Sequence, residues 1–478
     1  MAFKDLREYI DALEKYNELV RIKDEIDWDC EAGAIFRRGH EKEAQAIVIE
    51  NIRDYPNTRL MGGLMSTFRR FAIAMELDPD IPVQEMFKEF DSRRANPIKP
   101  VLVDRGPAYE ENLLTGDEVD LSVLPTPMVH DGDGGRYLGT WHNLITKDPD
   151  SGWVNWGMYR QMIHNKNHLG ALLLPNSDAG KQKAKWEARG EPMPFVSMIG
   201  SDPITNSVAA MPYGVEMDEV DMAGGLRQAP VELVKCKTVP LVVPANAEII
   251  IEGHIHTDIT VDEGPFGEYS GYRSGPRGPR SVCRVSAIAY RNNPILTVAN
   301  MGLPVDDCDI CYTAMGTRSM FENMLKGYGI PITGVYMPPH TIGHVVIVGV
   351  KKNINNIASQ IGNAIFGHPY GLWAHIVIVC DEDVDIYNIN EVMHAFSTKL
   401  HPFRGIITYP GWGHVLAPYL SLKEREQGKG GRIIFDLTTP LEWDRENEVP
   451  PKVSFNNIYP KEVQEKVLSK WGKWGLKE

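Results

Sequence analysis

Ile249-Ile250-Ile251, the run from Val282 to Tyr290, the turn Arg291-Asn292-Asn293-Pro294 and the strand that follows it through Val298 decide the reading of this fold. Branched apolar side chains are stiff at χ1 and pack well on a pleated surface, while an Asn-Asn-Pro turn breaks whatever precedes it. The span from about 120 to 300 reads the same way, with few convincing helices, and predicts a mainly β, barrel-like core.

Working outward, the rhythm changes on both sides. Asp5 and Glu8 form a capping-box pattern ahead of Leu6, Ile10 and Leu13, which predicts an amphipathic helix over 5–18. Strand-like stretches follow at 19–26, 46–52 and 101–103. After roughly residue 305, helical stretches at 309–327, near 353–364 and near 389–399 alternate with strands at 344–350, 375–380 and 405–409, the pattern of an α/β domain. Val463, Val467 and Trp471 recur at i, i+4 and i+8, so the tail from Pro460 to Trp474 is expected to dock as a helix on a neighbour. The expectation is an α+β / α/β multidomain chain: an N-terminal α/β region at 1–115, a β-barrel domain at 116–305, and a C-terminal α/β domain with a terminal helix at 306–478.

A length of 478 residues exceeds what one hydrophobic core serves. A net charge of -14 argues against nucleic acid as a partner and leaves any anionic substrate dependent on a local basic site. No apolar run reaches the 18 or so residues of a membrane span. The start, Met1-Ala2-Phe3-Lys4-Asp5, turns polar at once, and six scattered cysteines make no disulfide framework, so the cytoplasm is the expected compartment.

The most informative chemistry lies in Glu263-Gly264-Pro265-Phe266-Gly267-Glu268. Glycines permit sharp backbone geometry, so this turn can aim two carboxylates into one pocket, where proximity leaves one protonated as a general acid. A second stretch, Asn155-Trp156-Gly157-Met158-Tyr159-Arg160, joins an amide to a guanidinium able to clamp a carboxylate bidentately. Taken alone, the first is as readily a solvated loop and the second a surface ion pair.

Order resolves the ambiguity. Asn155, Gly157, Tyr159 and Arg160, then Ala209-Ala210-Met211-Pro212, then Glu219 ahead of Ala223-Gly224-Gly225, then the two-glutamate turn stand in the sequence found in UbiD-type decarboxylases. The similarity runs from Lys4-Asp5-Leu6-Arg7 to Asp381-Glu382-Asp383-Val384-Asp385 and Thr438-Thr439-Pro440. The chain therefore resembles that family over nearly its whole length.

The resemblance implies a split β-barrel that binds prenylated FMN, and reversible decarboxylation of an aromatic or conjugated carboxylic acid to carbon dioxide through a covalent bond between cofactor and substrate. It implies a catalytic trio of Arg160, Glu263 and Glu268, with Glu268 as proton donor. Asn155, Met158, Tyr159, Arg160, Met211, Pro212, Glu219 and His368 match positions around the cofactor. Asn155 and Glu219 match ligands of a divalent ion, usually Mn2+, and the carbonyls of Ala209 and Met211 match a K+ site. Where many relatives carry a metal-binding histidine after Pro-Gln, this chain has Pro175-Asn176-Ser177-Asp178, which offers Ser177 or Asp178 instead. Tyr312, His414 and Leu416 match the substrate pocket, with Cys311 and Trp412 close by. The family further implies a UbiX-type flavin prenyltransferase as cofactor supplier and a homodimer or homohexamer.

Other signals rank lower. Cys308 and Cys311 form a CxxC without two further zinc ligands nearby and read as buried thiols. His254 and His256 share one face of a strand, more in keeping with a hydrogen-bonded pair than a metal site. Arg273, Arg277 and Arg280 surround a Gly-Pro-rich loop and read as a solvated surface able to attract an anion. Two alternatives stand beside the main reading: a flavin reductase-like FMN oxidoreductase, and one subunit of a multi-subunit aromatic carboxylase.

Overall fold

The structure, a computed structural model, describes residues 2–214, 216–414 and 416–476. Among the described residues the architecture is mixed α/β, built on four sheets. The N-terminal helix spans Leu6–Lys15; Asp5 caps it by accepting from the Arg7 and Glu8 amides, while Glu8 reaches back to Lys4 N at 2.7 Å. Leu6, Tyr9, Ile10 and Leu13 form its buried face, as their spacing predicts.

This helix is tied to the middle of the chain through a buried carboxylate. Glu248, fully buried, accepts both Nε and Nη2 of Arg7 at 2.7 and 2.9 Å, and Arg291, which also holds Asp5, lies at 3.2 Å. The N-terminal sheet is interlocked with the middle in the same way. Its strands Leu19–Ile22, Ala46–Ile49 and Arg59–Gly62 are completed by Ile295–Val298, which pairs in parallel with Arg59–Gly62.

The central sheet has nine strands and is organised by the two segments that decided the sequence reading. Ile249–Glu263 runs antiparallel to Gly278–Tyr290, from Ile249 opposite Tyr290 to Glu263 opposite Gly278. Ile249, Ile250 and Ile251 are all fully buried, because both faces of the sheet are covered there. The hairpin thereby carries Glu263 at the end of a strand anchored in the core.

Of the expectations for this region, the mainly β sheet is present as an open sheet, and the scarcity of helices needs correction. The sheet does not close: its edge strands, Tyr137–Gly139 and Val154–Gly157, pair inward but not with each other. Tyr137–Gly139 is three residues long and irregular in register. Helices are also more frequent here than the sequence indicates, at Asp178–Ala188, Pro203–Ser207 and Glu219–Arg227. The first is polar and buries only Ala179, Gly180 and Gln182. The third carries Gly224 and Gly225, which discourage a helix locally, yet a Cβ on Gly224 would lie 2.2 Å from the Ile98 carbonyl. Close packing overrides propensity at that point.

The C-terminal sheet runs Ile332–Tyr336, Val345–Val350, Ile376–Asp381, Lys429–Leu437, Ile406–Trp412, parallel at its centre and antiparallel at both edges. Alternation along Val345–Val350 sends Val346 and Val348 toward the helix Ile357–Gly367, and Ile347 toward Val392 and Ala395 of the helix Ile389–Lys399. The expected helix at 309–327 is two: a π-helix Asp309–Thr317 followed by an α-helix Arg318–Gly327. Beyond the sheet, the helix Lys461–Leu468 buries none of its residues. Among the described residues no helix is long and apolar enough to cross a membrane.

Candidate active site

The chain leaving Val154–Gly157 delivers Arg160 to the turn that follows Glu263. Arg160 Nε and Nη2 donate to Glu263 Oε1 and Oε2 at 2.8 and 2.9 Å, and Nη1 donates to Glu268. One guanidinium therefore holds both carboxylates, the fork geometry that lysine cannot reproduce. Glu263 is fully buried and Glu268 only 6% exposed. Glycine makes the turn possible: Gly264 sits at φ +85°, and a Cβ on Gly267 would lie 2.5 Å from the His130 ring.

Burial is the main force that raises the Glu268 carboxyl above its ordinary range, opposed by Arg160 and reinforced by the charges of Glu263 and Asp133. A buried, proton-retaining carboxyl beside a fixed cation is suited to general acid work. Sequence reasoning missed the fourth member of this group. Tyr137 donates its hydroxyl to Glu263 Oε1 at 2.5 Å, and its ring lies 4.3 Å from that of Phe266. Its position 126 residues away, at the end of a Gly-rich segment, gave no local signal. Arg280, one of the three loop arginines, also approaches Glu263, at 3.8 Å, whereas Arg273 and Arg277 bind the carbonyls of Asp131 and Asp262.

At the other end of the 155–160 stretch stands a different donor set. Glu219, 6% exposed, accepts from the Trp156 amide at 3.0 Å, one residue along the chain from buried Asn155. Desolvation pushes the Glu219 carboxyl up to about 8, and Asp178 and Asp218 add to the effect. A carboxylate desolvated among other acids is a hard oxygen donor of the kind that a divalent ion would neutralise. Ser177 is engaged as the N-cap of the helix Asp178–Ala188, accepting from Gly180 N, and Asp178 pairs with Lys181. Among the described residues no three His, Cys, Asp or Glu side chains converge as a metal centre.

Met158 and Tyr159 lie between the two ends; the Tyr159 hydroxyl accepts from Ala179 N at 3.3 Å. Tyr370, two residues after His368, is near enough to Tyr159, Asp178, Glu219 and Arg94 to feel their charges, and its hydroxyl donates to Tyr213 O at 3.2 Å. His368 stacks on Tyr370. Ala209 and Met211 flank the end of the short turn Val208–Ala210, and Pro212 with Met211 packs against Gly316 of the π-helix.

The pocket candidates gather around a residue the sequence reading passed over. Trp373 stacks on His414 at 3.3 Å and meets Tyr312 and Tyr269 edge-on at 6.2 and 5.2 Å. Tyr269 follows Glu268 directly, so Tyr312 and His414 reach the acid turn through aromatic contacts. Leu416 N donates to His414 Nδ1. Trp412, by contrast, is 68% exposed. Cys308 and Cys311 are free thiols that burial pushes well above their ordinary range, as expected of inert core cysteines. A cleft of about 1280 Å³ lies in the C-terminal domain, lined by Asp381, Lys399, Arg404 and Thr439, and contains none of the trio.

Comparison with known proteins identifies the family. Three family profiles match in chain order: the 3-octaprenyl-4-hydroxybenzoate carboxy-lyase N-terminal domain at 10–90, its Rift-related domain at 100–304 and its C-terminal domain at 311–437. The pyrrole-2-carboxylic acid decarboxylase of Pseudomonas aeruginosa is 30% identical over 490 residues, spanning 99% of this chain and 98% of its own. The vanillic acid decarboxylase of Sedimentibacter hydroxybenzoicus, in its closed form, superposes with a TM-score of 0.88 at 28% identity, over 99% of this chain and 100% of its own. An evolved dimeric form of the UbiD-class enzyme HmfF from Pelotomaculum thermopropionicum, solved with prFMN, gives 0.79 at 26% identity, over 94% and 97%. Fold, site and these matches define a carboxy-lyase architecture. The chain belongs to the UbiD family.

Proposed function

We propose that this chain reversibly decarboxylates an aromatic or conjugated carboxylic acid, with Glu268 as proton donor and prenylated FMN as cofactor. The observation that carries the reading is the single buried guanidinium of Arg160 shared by Glu263 and Glu268. When the ring–carboxylate bond breaks, an electron pair remains that an aromatic ring cannot delocalise; prenylated FMN, when bound, supplies the electron sink. Arg160 holds both carboxylates in place and offsets their charge. Glu268 delivers its proton to the carbon that lost carbon dioxide, so the pair ends in a new C–H bond, and solvent returns the proton to Glu268. The same groups run backward under high carbon dioxide. Hydride transfer would give the two acids no task, which disfavours a flavin reductase-like activity.

In this reading the open central sheet is the split barrel that holds the flavin, within domains at 1–115, 116–305 and 306–478. Asn155, Met158, Tyr159, Arg160, Met211, Pro212, Glu219 and His368 would surround the cofactor, with a phosphate-and-metal end at Asn155 and Glu219 and a reactive end at Arg160. Mn2+ suits the oxygen donors Asn155 and Glu219, completed by Asp178 or Ser177, and K+ suits the Ala209 and Met211 carbonyls. Glu219→Gln is expected to weaken Mn2+ binding by more than the roughly 10- to 100-fold that removing an outer partner costs, read by paramagnetic resonance of free ion. Tyr312, His414 and Leu416 would border the substrate. The protein is proposed to act in the cytoplasm, on cofactor supplied by a UbiX-type prenyltransferase.

A homo-oligomer, dimer or hexamer, belongs to the same proposal. Its support is the tail, where Val453, Leu468 and Trp474 are 80%, 60% and 56% exposed. Truncation after Lys452 is expected to lower the assembly mass measured by light scattering without unfolding the core. The activity itself is tested by carbon dioxide release from pyrrole-2-carboxylate, vanillate and a cinnamate-type acid, using isolated holoprotein. Turnover by the isolated chain also separates a self-sufficient enzyme from one subunit of a larger assembly.

A further inference from the structure

The segment His130-Asp131-Gly132-Asp133-Gly134-Gly135-Arg136-Tyr137 wraps around the turn that carries both glutamates. Tyr137 donates to Glu263 at 2.5 Å, Gly134 N donates to Pro265 O at 2.7 Å, and Gly267 N donates to Asp133 Oδ1 at 3.0 Å. The Asp133 side chain is fully buried, and its second oxygen meets His130 Nδ1 at 3.0 Å. The His130 ring packs so closely on Gly267 that no Cβ would fit there. The segment thus grips the turn at both ends with groups of different kind: a neutral donor at Glu263, an acid at the residue before Glu268.

That difference matters because two chemically identical side chains share one guanidinium. Glu263 accepts three hydrogen bonds, two from Arg160 and one from Tyr137. Glu268 takes a single arm of Arg160. The other titratable groups acting on Glu268 or facing it are Glu263, Asp133, Tyr269 and Cys308. Burial keeps the Tyr137 phenol well above its ordinary range, so it remains a donor.

We propose that Tyr137 and Asp133 are positioning residues for proton transfer, Tyr137 by fixing Glu263 as an acceptor and Asp133 by placing a negative charge behind Glu268. The inference rests on the proposed acid role of Glu268. Removing the charge of Asp133 withdraws one of the forces that hold the proton on Glu268, so the proton leaves at lower pH.

The test has a readout independent of turnover. Infrared difference spectra of wild type against Glu268→Gln isolate the protonated carboxyl band of Glu268 as pH is raised. In an Asp133→Asn background the band is expected to vanish on the order of half a pH unit or more lower. Asp133→Glu restores the wild-type midpoint. Should Asp133→Asn not fold, Asp133→Ser, which keeps an oxygen for the Gly267 amide, is read the same way. In the holoenzyme, the alkaline limb of the rate profile moves with the infrared midpoint, and Tyr137→Phe lowers kcat about tenfold with KM retained. An unmoved midpoint with a lowered Tm would overturn the proposal and leave Asp133 a mere staple. Absence of turnover by wild-type holoenzyme on any acid would instead remove the decarboxylase reading, while the infrared midpoint still decides the role of Asp133.

Discussion

Glu268→Gln is expected to give a folded, cofactor-loaded protein whose decarboxylation rate has fallen by about 10²–10⁴. Glutamine has the size of the glutamate it replaces and still offers an oxygen to Arg160, so the bidentate pair between Arg160 and Glu263 survives. It lacks a transferable proton. The substrate should therefore bind with little change in KM while kcat collapses, the pattern of a lost transition-state contribution. Steady-state carbon dioxide release measures both parameters. Wild-type kcat in this variant would remove Glu268 as the acid.

Arg160→Leu attacks the same site from the opposite side, with damage to stability as well as rate. Two buried carboxylates would lose their shared cation, and breaking a buried pair this way costs about 3–5 kcal/mol. Chemical denaturation measures the loss. Its pH dependence has a definite sign. A carboxyl whose folded pKa lies above its unfolded value is stabilising when protonated, so that contribution is present at low pH and is lost as pH rises through the folded pKa. Glu268 is already raised in the wild type; without Arg160 the loss should deepen toward neutral pH. Arg160→Lys restores a charge but not the three-point grip, so it should recover part of the stability and little of the rate.

Much of this was legible in the sequence where the signal is local. The two glutamates five residues apart around glycines, the arginine after Asn155, and the isoleucine run that anchors the central hairpin each declare themselves within a few positions. What the sequence did not reveal depends on contacts across the chain. Tyr137 and Asp133 sit in a segment of acids and glycines that reads as a surface turn, and their partners lie 126 and 134 residues further on. The strand Lys429–Leu437 occupies an inner position of its sheet although Gly430 and Gly431 follow its first residue. The split barrel expected of the middle region is seen only as an open nine-stranded sheet, whose edge strand Tyr137–Gly139 is three residues long. The helix Glu219–Arg227 was hidden because its glycines serve packing against the 96–98 backbone rather than helix propensity.

The central claim is that the acid pair and guanidinium work beside a prenylated flavin. It is tested most directly by making the protein in cells with and without a flavin prenyltransferase and comparing carbon dioxide release per bound flavin on the same aromatic acid. The account predicts turnover only from the protein made with the prenyltransferase. Equal turnover from both preparations would contradict it.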